Sequence, residues 1–536
     1  MKPNLISIGL AIGAFFLAAC RVNHGLVDSS LPSGSGLTPD ESFNALQGYY
    51  LFDAFCEYGP LLFTMSGAVE VFGDPQYMHD YPPLGRFALG AAHESTAWLI
   101  GGAEATAFNI PAARLGSCFA FALTVLLLCE FTRRNYGLRT AFVTAIALML
   151  MPRVIGHARL ASVETMTSLA WLATFLPLWT WWTKEEPPTT RQCIVSGALF
   201  GLLLLTKMQG ILVPPLVVVW SLWRYQEKAI RPLACWGLTG LFVFFVGWPW
   251  LWLDPINIVE YLNTASKRPT LYVWYFGERY ADKMVPWHYP FVMTAITVPL
   301  VVLIGIVART WQRKLDTREK LITASVIWPL IVFALPGTPV YDGSRLFLVI
   351  MPAVALIAAR GLCPLLTTAQ RSKRIFLWGV ILGLSVWSFG KTLSPFSLDT
   401  YSLASANAQG AHWLGMDSSY WVDGLNGDFW DQVPENSTVF VAPVSHQFQL
   451  SDFEHLVPAV VERNIKLQPF EYDPQAQRGL VLLMHRLADL PPLLRHVPDG
   501  ARIVAEVQSE GVVIARLIDT SDNTWPEKPF WPEGND

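Results

Sequence analysis

The sequence predicts a polytopic α-helical membrane protein with about 11–13 transmembrane helices, external juxtamembrane helices and a small C-terminal α/β domain. Three observations carry this expectation. Hydrophobic residues make up 52% of the chain and charged residues only 15%, whereas a soluble domain carries about 25% charged residues. Apolar runs recur from Leu5 to Trp387, and none alternates like a barrel strand. After Lys391 the composition turns polar. The 22 Trp and 31 Phe suit membrane-interface belts. A net charge of −4 gives no basic footprint for nucleic acid. The seven cysteines are scattered without a CxxC pair, which argues against a zinc finger or a disulfide framework.

A helical span needs roughly 17–25 apolar residues. In chain order the candidates are 4–20, 109–131, 139–153, 166–183, 193–206, 210–223, 233–251, 289–310, 321–336, 346–361 and 375–391. The first ends in Leu17-Ala18-Ala19-Cys20, which resembles a lipobox; a retained first anchor is the preferred reading. The stretch 84–101 is apolar but holds His93 and Glu94, and reads as juxtamembrane or re-entrant. With that choice, the loops around Arg133–Arg139, Lys184–Arg191, Arg224–Arg231, Arg309–Lys320 and Arg371–Arg374 share one face. By the positive-inside rule that face is cytoplasmic, as is the N-terminus.

Three external regions follow. The loop 21–108 opens with a Ser33-Gly34-Ser35-Gly36 stretch that reads as flexible. The loop 252–288 is rich in Trp and Tyr. The tail 392–536 has strand-like runs at 438–442, 480–484 and 511–517, and helix-like segments at 451–463 and 485–496. The expected division is a transmembrane domain, 1–391, and an extracytoplasmic α/β domain, 392–536.

The chemistry-bearing residues gather on that outer face. Thr38-Pro39-Asp40-Glu41 forms a capping box, with Thr38 at the N-cap, Pro39 at N1 and Glu41 at N3. Glu41 thereby has a structural task. Asp40 has none beyond complementing the helix dipole, and is a candidate general base. His79-Asp80-Tyr81-Pro82-Pro83-Leu84-Gly85 reads as an extended entry into the next apolar segment. Glu164, in the segment from His157, suits a helix start or a second acidic site. Arg114, Arg153, Arg159, Lys207 and Arg345 all map to outer span ends. Each alone suits snorkelling; together, facing carboxylates, they suggest an anionic ligand such as a lipid phosphate. His288 suits a phosphate, a metal or a place in the aromatic belt.

Together these residues resemble the GT-C superfamily of membrane glycosyltransferases, in particular the protein O-mannosyltransferases and the lipid A aminoarabinose transferases. Asp40-Glu41 is similar to the acidic pair of the family's first external loop, and Tyr81 through Gly85 to the Pro-Pro-Leu element. Ala113-Arg114-Leu115 resembles the arginine segment, and Met151-Pro152 through Glu164 the second acidic element, where Asp is more usual than Glu164. Leu205-Thr206-Lys207 resembles a Leu-Thr-Lys turn. Arg345 through Pro352 resembles an Arg-Tyr-Leu-Leu-Pro segment, with Leu346-Phe347 substituted. Gly410-Ala411-His412 through Tyr420-Trp421 resembles the external region of bacterial members.

The resemblance implies a GT-C-like, inverting transferase of a bacterial inner membrane, with its C-terminal domain periplasmic. It implies a polyprenyl-phosphate-linked sugar as donor and a lipid, glycan or protein as acceptor, among membrane lipids and without nucleic acid. Asp40, with Glu41 beside it, would carry the catalysis. Arg114, Lys207 and Arg345 would bind the donor phosphate, with Asp80, Glu164 and His288 as a second acidic or acceptor site. A divalent metal stays open, since relatives differ in needing one. The rival readings are a transporter of an anionic or lipid-linked substrate and a non-catalytic assembly protein using the tail. Charges lining a mid-membrane path would favour the transporter.

Overall fold

The computed structural model describes residues 4–22, 33–101, 108–267, 269–312, 314–367, 370–419, 421, 423–444, 447–470, 478–498 and 500–521. Tyr420, part of the tail reading above, lies outside them.

Each apolar stretch of the sequence is a helix or a bent pair of helices. In order they are α1 (Leu5–Ala19), α2 (Pro39–Tyr58), α3 (Pro83–Gly101), α4 (Ile110–Tyr136), α5 (Leu138–Met149), α6 (Pro152–Ala158) and α7 (Val163–Trp181). There follow α8 (Thr190–Leu204), α9 (Val213–Tyr225), α10 (Ile230–Gly247) and α11 (Asn257–Lys267). A hairpin of β1 (Tyr272–Tyr275) and β2 (Glu278–Ala281) leads to α12 (Tyr289–Thr297), α13 (Leu300–Trp311), α14 (Thr317–Phe333), α15 (Met351–Leu365) and α16 (Arg371–Thr392). Among the described residues, four helical stretches are long and apolar enough to cross a bilayer, or six if each bent pair is one span. The pairs bend by 72° between α5 and α6 and by 117° between α12 and α13. Pro152 and Pro299 stand at these breaks, where a missing N–H and a restricted preceding residue end a helix.

Ion pairs mark the two ends of the bundle. On α4, Arg114 lies near one end, while Glu130 holds Arg133 and Arg134 at the other. The apolar length between them is about 24 Å at 1.5 Å per residue, near a bilayer core. Ser7 of α1 donates to Glu130 at 3.2 Å, fixing the first helix on α4.

Close helix crossings need glycine. A Cβ on Gly90 would lie 1.9 Å from the Gly48 carbonyl oxygen, where α2 and α3 touch backbone to backbone. Likewise a Cβ on Gly361 would meet the Gly305 carbonyl at 1.9 Å, between α15 and α13. The α13–α15 crossing is the small-residue packing of membrane helices, which gain by close approach rather than by the hydrophobic effect. Gly90→Val should force α2 away from α3 and lower the thermal midpoint of the detergent-purified protein. Overpacking of this kind costs about 1–3 kcal/mol or more; an unchanged midpoint would contradict the close crossing.

After α16 come α17 (Asn407–Trp413), β3 (Thr438–Ala442), α18 (Gln447–Leu456), α19 (Pro458–Glu462), β4 (Lys466–Pro469), β5 (Leu480–Met484), β6 (Arg502–Ser509) and β7 (Val512–Asp519). The sheet order is β4-β3-β5-β7-β6. β3 is parallel to β4 and β5, and β7 is antiparallel to β5 and β6. Three of these strands fall where the sequence predicts them. β6 does not announce itself, because Arg502, Ile503 and Gln508 point outward and only Ala505 and Ser509 are buried. The helix expected at 485–496 is absent: Pro491-Pro492 breaks it, leaving a short 3-10 turn at Pro492–Arg495. The helix expected at 451–463 is two helices, divided at Val457-Pro458.

The expectation of a flexible Ser33–Gly36 stretch is also corrected. Gly36 donates to the Asp423 carbonyl at 2.8 Å, and a Cβ there would lie 2.2 Å from the Leu425 carbonyl oxygen. Asn426 donates to the Gly34 carbonyl at 3.3 Å, and Ser33 to Asp428 at 2.8 Å. Small residues serve close packing here, not mobility. One apolar core runs through this junction, joining Leu37, Ala45, Leu89 and Ala113 to Leu425, Phe429, Trp430 and the β3–β5–β7 face.

Candidate active site

Four motifs remote in sequence meet at the tail-side ends of the helices. Leu84, after the two prolines, donates to the Leu205 carbonyl at 3.0 Å. The Pro-Pro element is thus tied directly to the Leu-Thr-Lys turn. Gly85 lets them close up, since a Cβ there would meet Val163 at 3.2 Å and Thr206 at 3.3 Å. Asp40 and Glu164 each occupy the second residue of a helix, α2 and α7. Their carboxylates therefore lie at helix ends where partial positive charge favours anions.

Arg345 is the hub of the site. Its Nη2 pairs with Asp40, its Nε donates to Glu164 Oε1 at 2.7 Å and its Nη1 to Asp342 Oδ2 at 2.8 Å. Lys207 Nζ donates to the same Glu164 oxygen at 2.5 Å. The Arg345 guanidinium lies 4.3 Å from the centre of the Trp421 ring, and Lys207 lies 5.4 Å from the Tyr81 ring. Arg486, from the tail, reaches Asp342 at 3.2 Å and Asp489 at 2.5 Å. The side chains of Glu164, Lys207, Asp342 and Arg345 are at most 5% exposed, while Asp40 keeps 22%. Asp40 is thus the member an incoming molecule meets first. Glu164 Oε2 is buried and accepts no hydrogen bond among the described residues. Burial raises the Asp40 carboxyl above its ordinary range; Arg345 opposes that shift, and Glu164 and Asp342 add to it.

The structure brings together Asp40, Glu164, Lys207 and Arg345, and separates the other predicted residues from them. Arg114 is fully buried: it grips Glu41 at 2.8 and 2.7 Å and donates to the Val22, Ser35 and Gly36 carbonyls. With its N–H groups used in this way, it has no donor left for a phosphate. Glu41 caps Thr38 at 3.0 Å and accepts from the Ala161 N–H at 2.7 Å. The two are a structural staple, not a clamp. Asp80 is held by Arg86 at 2.8 and 3.0 Å. His288 pairs with the Tyr275 hydroxyl at 2.7 Å. Of the other cations that the sequence reading assigns to the outer face, Arg153 donates to the Thr400 carbonyl, and Arg159 to the carbonyls of Leu17, Thr392 and Ser394. The sequence reading missed Asp342 and Arg486 as site residues. Asp342 lies three residues before Arg345, a spacing that could have flagged it; Arg486 had no local signal.

Glu41→Gln leaves the buried Arg114 charge without its ionic partner. Breaking such a pair costs about 3–5 kcal/mol. The variant should lose thermal stability and membrane abundance, with turnover per folded molecule close to wild type. A stable Glu41→Gln protein with lost turnover would contradict the staple.

A divalent metal does not fit this donor set. Asp40, Glu164 and Asp342 are each engaged by Arg345. Among the described residues no group of three His, Cys, Asp or Glu side chains converges to hold an ion.

Residues 95–252 match the family described as dolichyl-phosphate-mannose-protein mannosyltransferase. No curated protein matches the chain by sequence. ArnT from Cupriavidus metallidurans in the apo state is similar in structure over 96% of this chain and 97% of its own, with a TM-score of 0.52 and 14% identity. The same protein bound to undecaprenyl phosphate gives 0.49 over the same shares, also at 14% identity. The apo oligosaccharyltransferase of Archaeoglobus fulgidus gives 0.47 at 11% identity, over 89% of this chain and 69% of its own. With the apo ArnT likeness spanning nearly all of both chains, the protein has the fold of the GT-C superfamily of membrane glycosyltransferases.

Proposed function

We propose that this protein is an integral-membrane glycosyltransferase. It takes a sugar from a polyprenyl-phosphate donor and transfers it, with inversion, to a hydroxyl or phosphate of a lipid, glycan or protein on the outer face of the membrane. The observation that carries the reading is the meeting of Asp40 with Arg345 and Lys207 around Glu164. The family description matched over 95–252, which names a lipid-phosphate-linked sugar, supports the donor class.

The chemistry follows from the contacts. Asp40, the most accessible carboxylate of the cluster, takes the proton of the acceptor hydroxyl. The acceptor oxygen attacks the anomeric carbon from the face opposite the phosphate. The bond from that carbon to the phosphate oxygen breaks, and its electron pair leaves with the lipid phosphate. Arg345 and Lys207 stabilise the charge that departs. In the free protein Arg345 is engaged by three carboxylates. The donor phosphate therefore competes with Asp40 for the Nη2 group, and its arrival frees Asp40 to act as base. Glu164 keeps both cations in place throughout.

A transporter would place its charges along a mid-membrane path. Here the ionised groups gather at helix ends, with Asp40 and Glu164 in first turns and Lys207 in a turn between helices. The test is to reconstitute the protein in vesicles with a polyprenyl-phosphate donor labelled in its sugar, plus a membrane extract as acceptor. The proposal expects free polyprenyl phosphate and label in a new covalent product. Intact donor moved across the bilayer would establish the transporter instead.

A further inference from the structure

Beside the β1–β2 hairpin lies an open groove of about 660 Å³. It is built by three parts of the chain: Trp274 and Gly277 of the hairpin, Gln409, His412 and Trp413 of α17, and the tail segments holding His485, Arg495, His496 and Arg516. The parts are locked together. Gly277 donates to the Gly415 carbonyl at 2.9 Å, and Arg279 to the Ala488 carbonyl at 2.8 Å. Arg495 lies 4.1 Å from the centre of the Trp274 ring and donates to the carbonyls of Leu487 and Leu490. Those two bonds use Nε and Nη2 of Arg495, and Nη1 has no part in them.

Among the described residues no Asp or Glu lines this groove, whereas two arginines and three histidines do. Arg516 is held from behind by Glu506 at 2.5 Å. His485 is 8% exposed, and its Nε2 has no hydrogen-bond partner among the described residues. A wall of nitrogen donors without a carboxylate suits an anion.

The groove also lies at the end of a membrane helix. Lys391, in the last turn of α16, pairs with Glu510 at 2.6 Å. Glu510 in turn accepts from the Ala408 N–H at 3.0 Å. The next residue, Gly511, lines the groove, and its absent Cβ makes room for Gln409. α16 presents Leu382, Val386, Trp387 and Phe389 outward, as a lipid-facing span does. Trp413, 82% exposed at the mouth, has the amphipathic ring that favours the headgroup level.

We infer that this groove is a binding site for the phosphate-bearing headgroup of an anionic membrane lipid, held by Arg495 and the histidines with Trp413 against its glycerol and upper chains. Neither Asp40 nor Arg345 takes part in it. The test is equilibrium binding of a fluorescent short-chain phosphatidylglycerol to the full chain in a neutral maltoside detergent. Saturable binding is expected, with a matched phosphatidylcholine probe at least about tenfold weaker. Trp413→Ala and the double variant H412Q/H496Q change groove-lining side chains that carry little of the packing. Each should weaken binding by about tenfold at an unchanged thermal midpoint. Arg345→Lys should bind the probe like wild type, because its site is elsewhere. Equal binding of both probes, or groove variants within twofold of wild type, would overturn the inference. So would loss of binding in Arg345→Lys, which would move the probe to the catalytic cluster. Displacement by millimolar inorganic phosphate would assign the groove to the free ion and overturn the lipid headgroup.

Discussion

Asp40→Asn should lower turnover by roughly 10²–10⁴-fold while the protein stays folded in the membrane. Asn keeps the size of the side chain and can still pair weakly with Arg345, so packing around it survives. What it loses is the ability to take a proton. The glycine crossing at Gly48 and the Glu41–Arg114 staple, which hold α2 in place, do not depend on Asp40. Loss of rate at equal abundance therefore reads as lost chemistry. The wild-type pH profile checks the same residue. Asp40 works only as the carboxylate, and burial in the cluster raises its pKa. Activity should climb with pH through an acid limb lying above the ordinary carboxylate range, and stay high above it. A limb at or below that range, or near-normal turnover in Asp40→Asn, would move the base elsewhere.

Arg345 variants should show the second large effect, in two separable forms. Arg345→Gln takes from Asp40, Glu164 and Asp342 the cation they share, leaving Lys207 on Glu164 and Arg486 on Asp342. Leaving a buried charge uncompensated costs about 3–5 kcal/mol, so this variant should fail mainly by instability. Arg345→Lys keeps the charge, but an ammonium cannot fork to three carboxylates at once. Its abundance should be close to wild type, while donor use falls by about 1.5–3 kcal/mol, roughly 10–150-fold. The reading is separated by a donor titration at equal protein abundance. Wild-type kinetics in Arg345→Lys would show that the guanidinium does not hold the donor.

Much of the helical architecture was legible because bilayer-length apolar runs carry a strong signal, and the bends at Pro152 and Pro299 fall within runs read as single spans. The sheet was less legible. β3, β5 and β7 announce themselves by apolar runs, whereas β6 buries little and alternates weakly. Ser33–Gly36 misleads, because the same small residues that make a linker flexible also allow backbone to pack on backbone. Within the site, charge at the outer span ends pointed to Lys207 and Arg345, but could not sort them from Arg114. That distinction rests on which partners a folded chain supplies: Arg114 meets Glu41 and three carbonyls, while Arg345 meets the partly exposed Asp40. Arg486 was invisible, since its contact with Asp342 bridges the tail and the helical part of the chain, far apart in sequence.

The most direct measurement is single-turnover release of polyprenyl phosphate from a labelled polyprenyl-phosphate sugar, with purified wild type and Asp40→Asn in excess over donor and an acceptor extract present. The account predicts that Asp40→Asn binds the donor at least as tightly as wild type, that wild type releases lipid phosphate as its sugar enters product, and that Asp40→Asn holds the donor intact. Release of lipid phosphate by Asp40→Asn at the wild-type rate would contradict it.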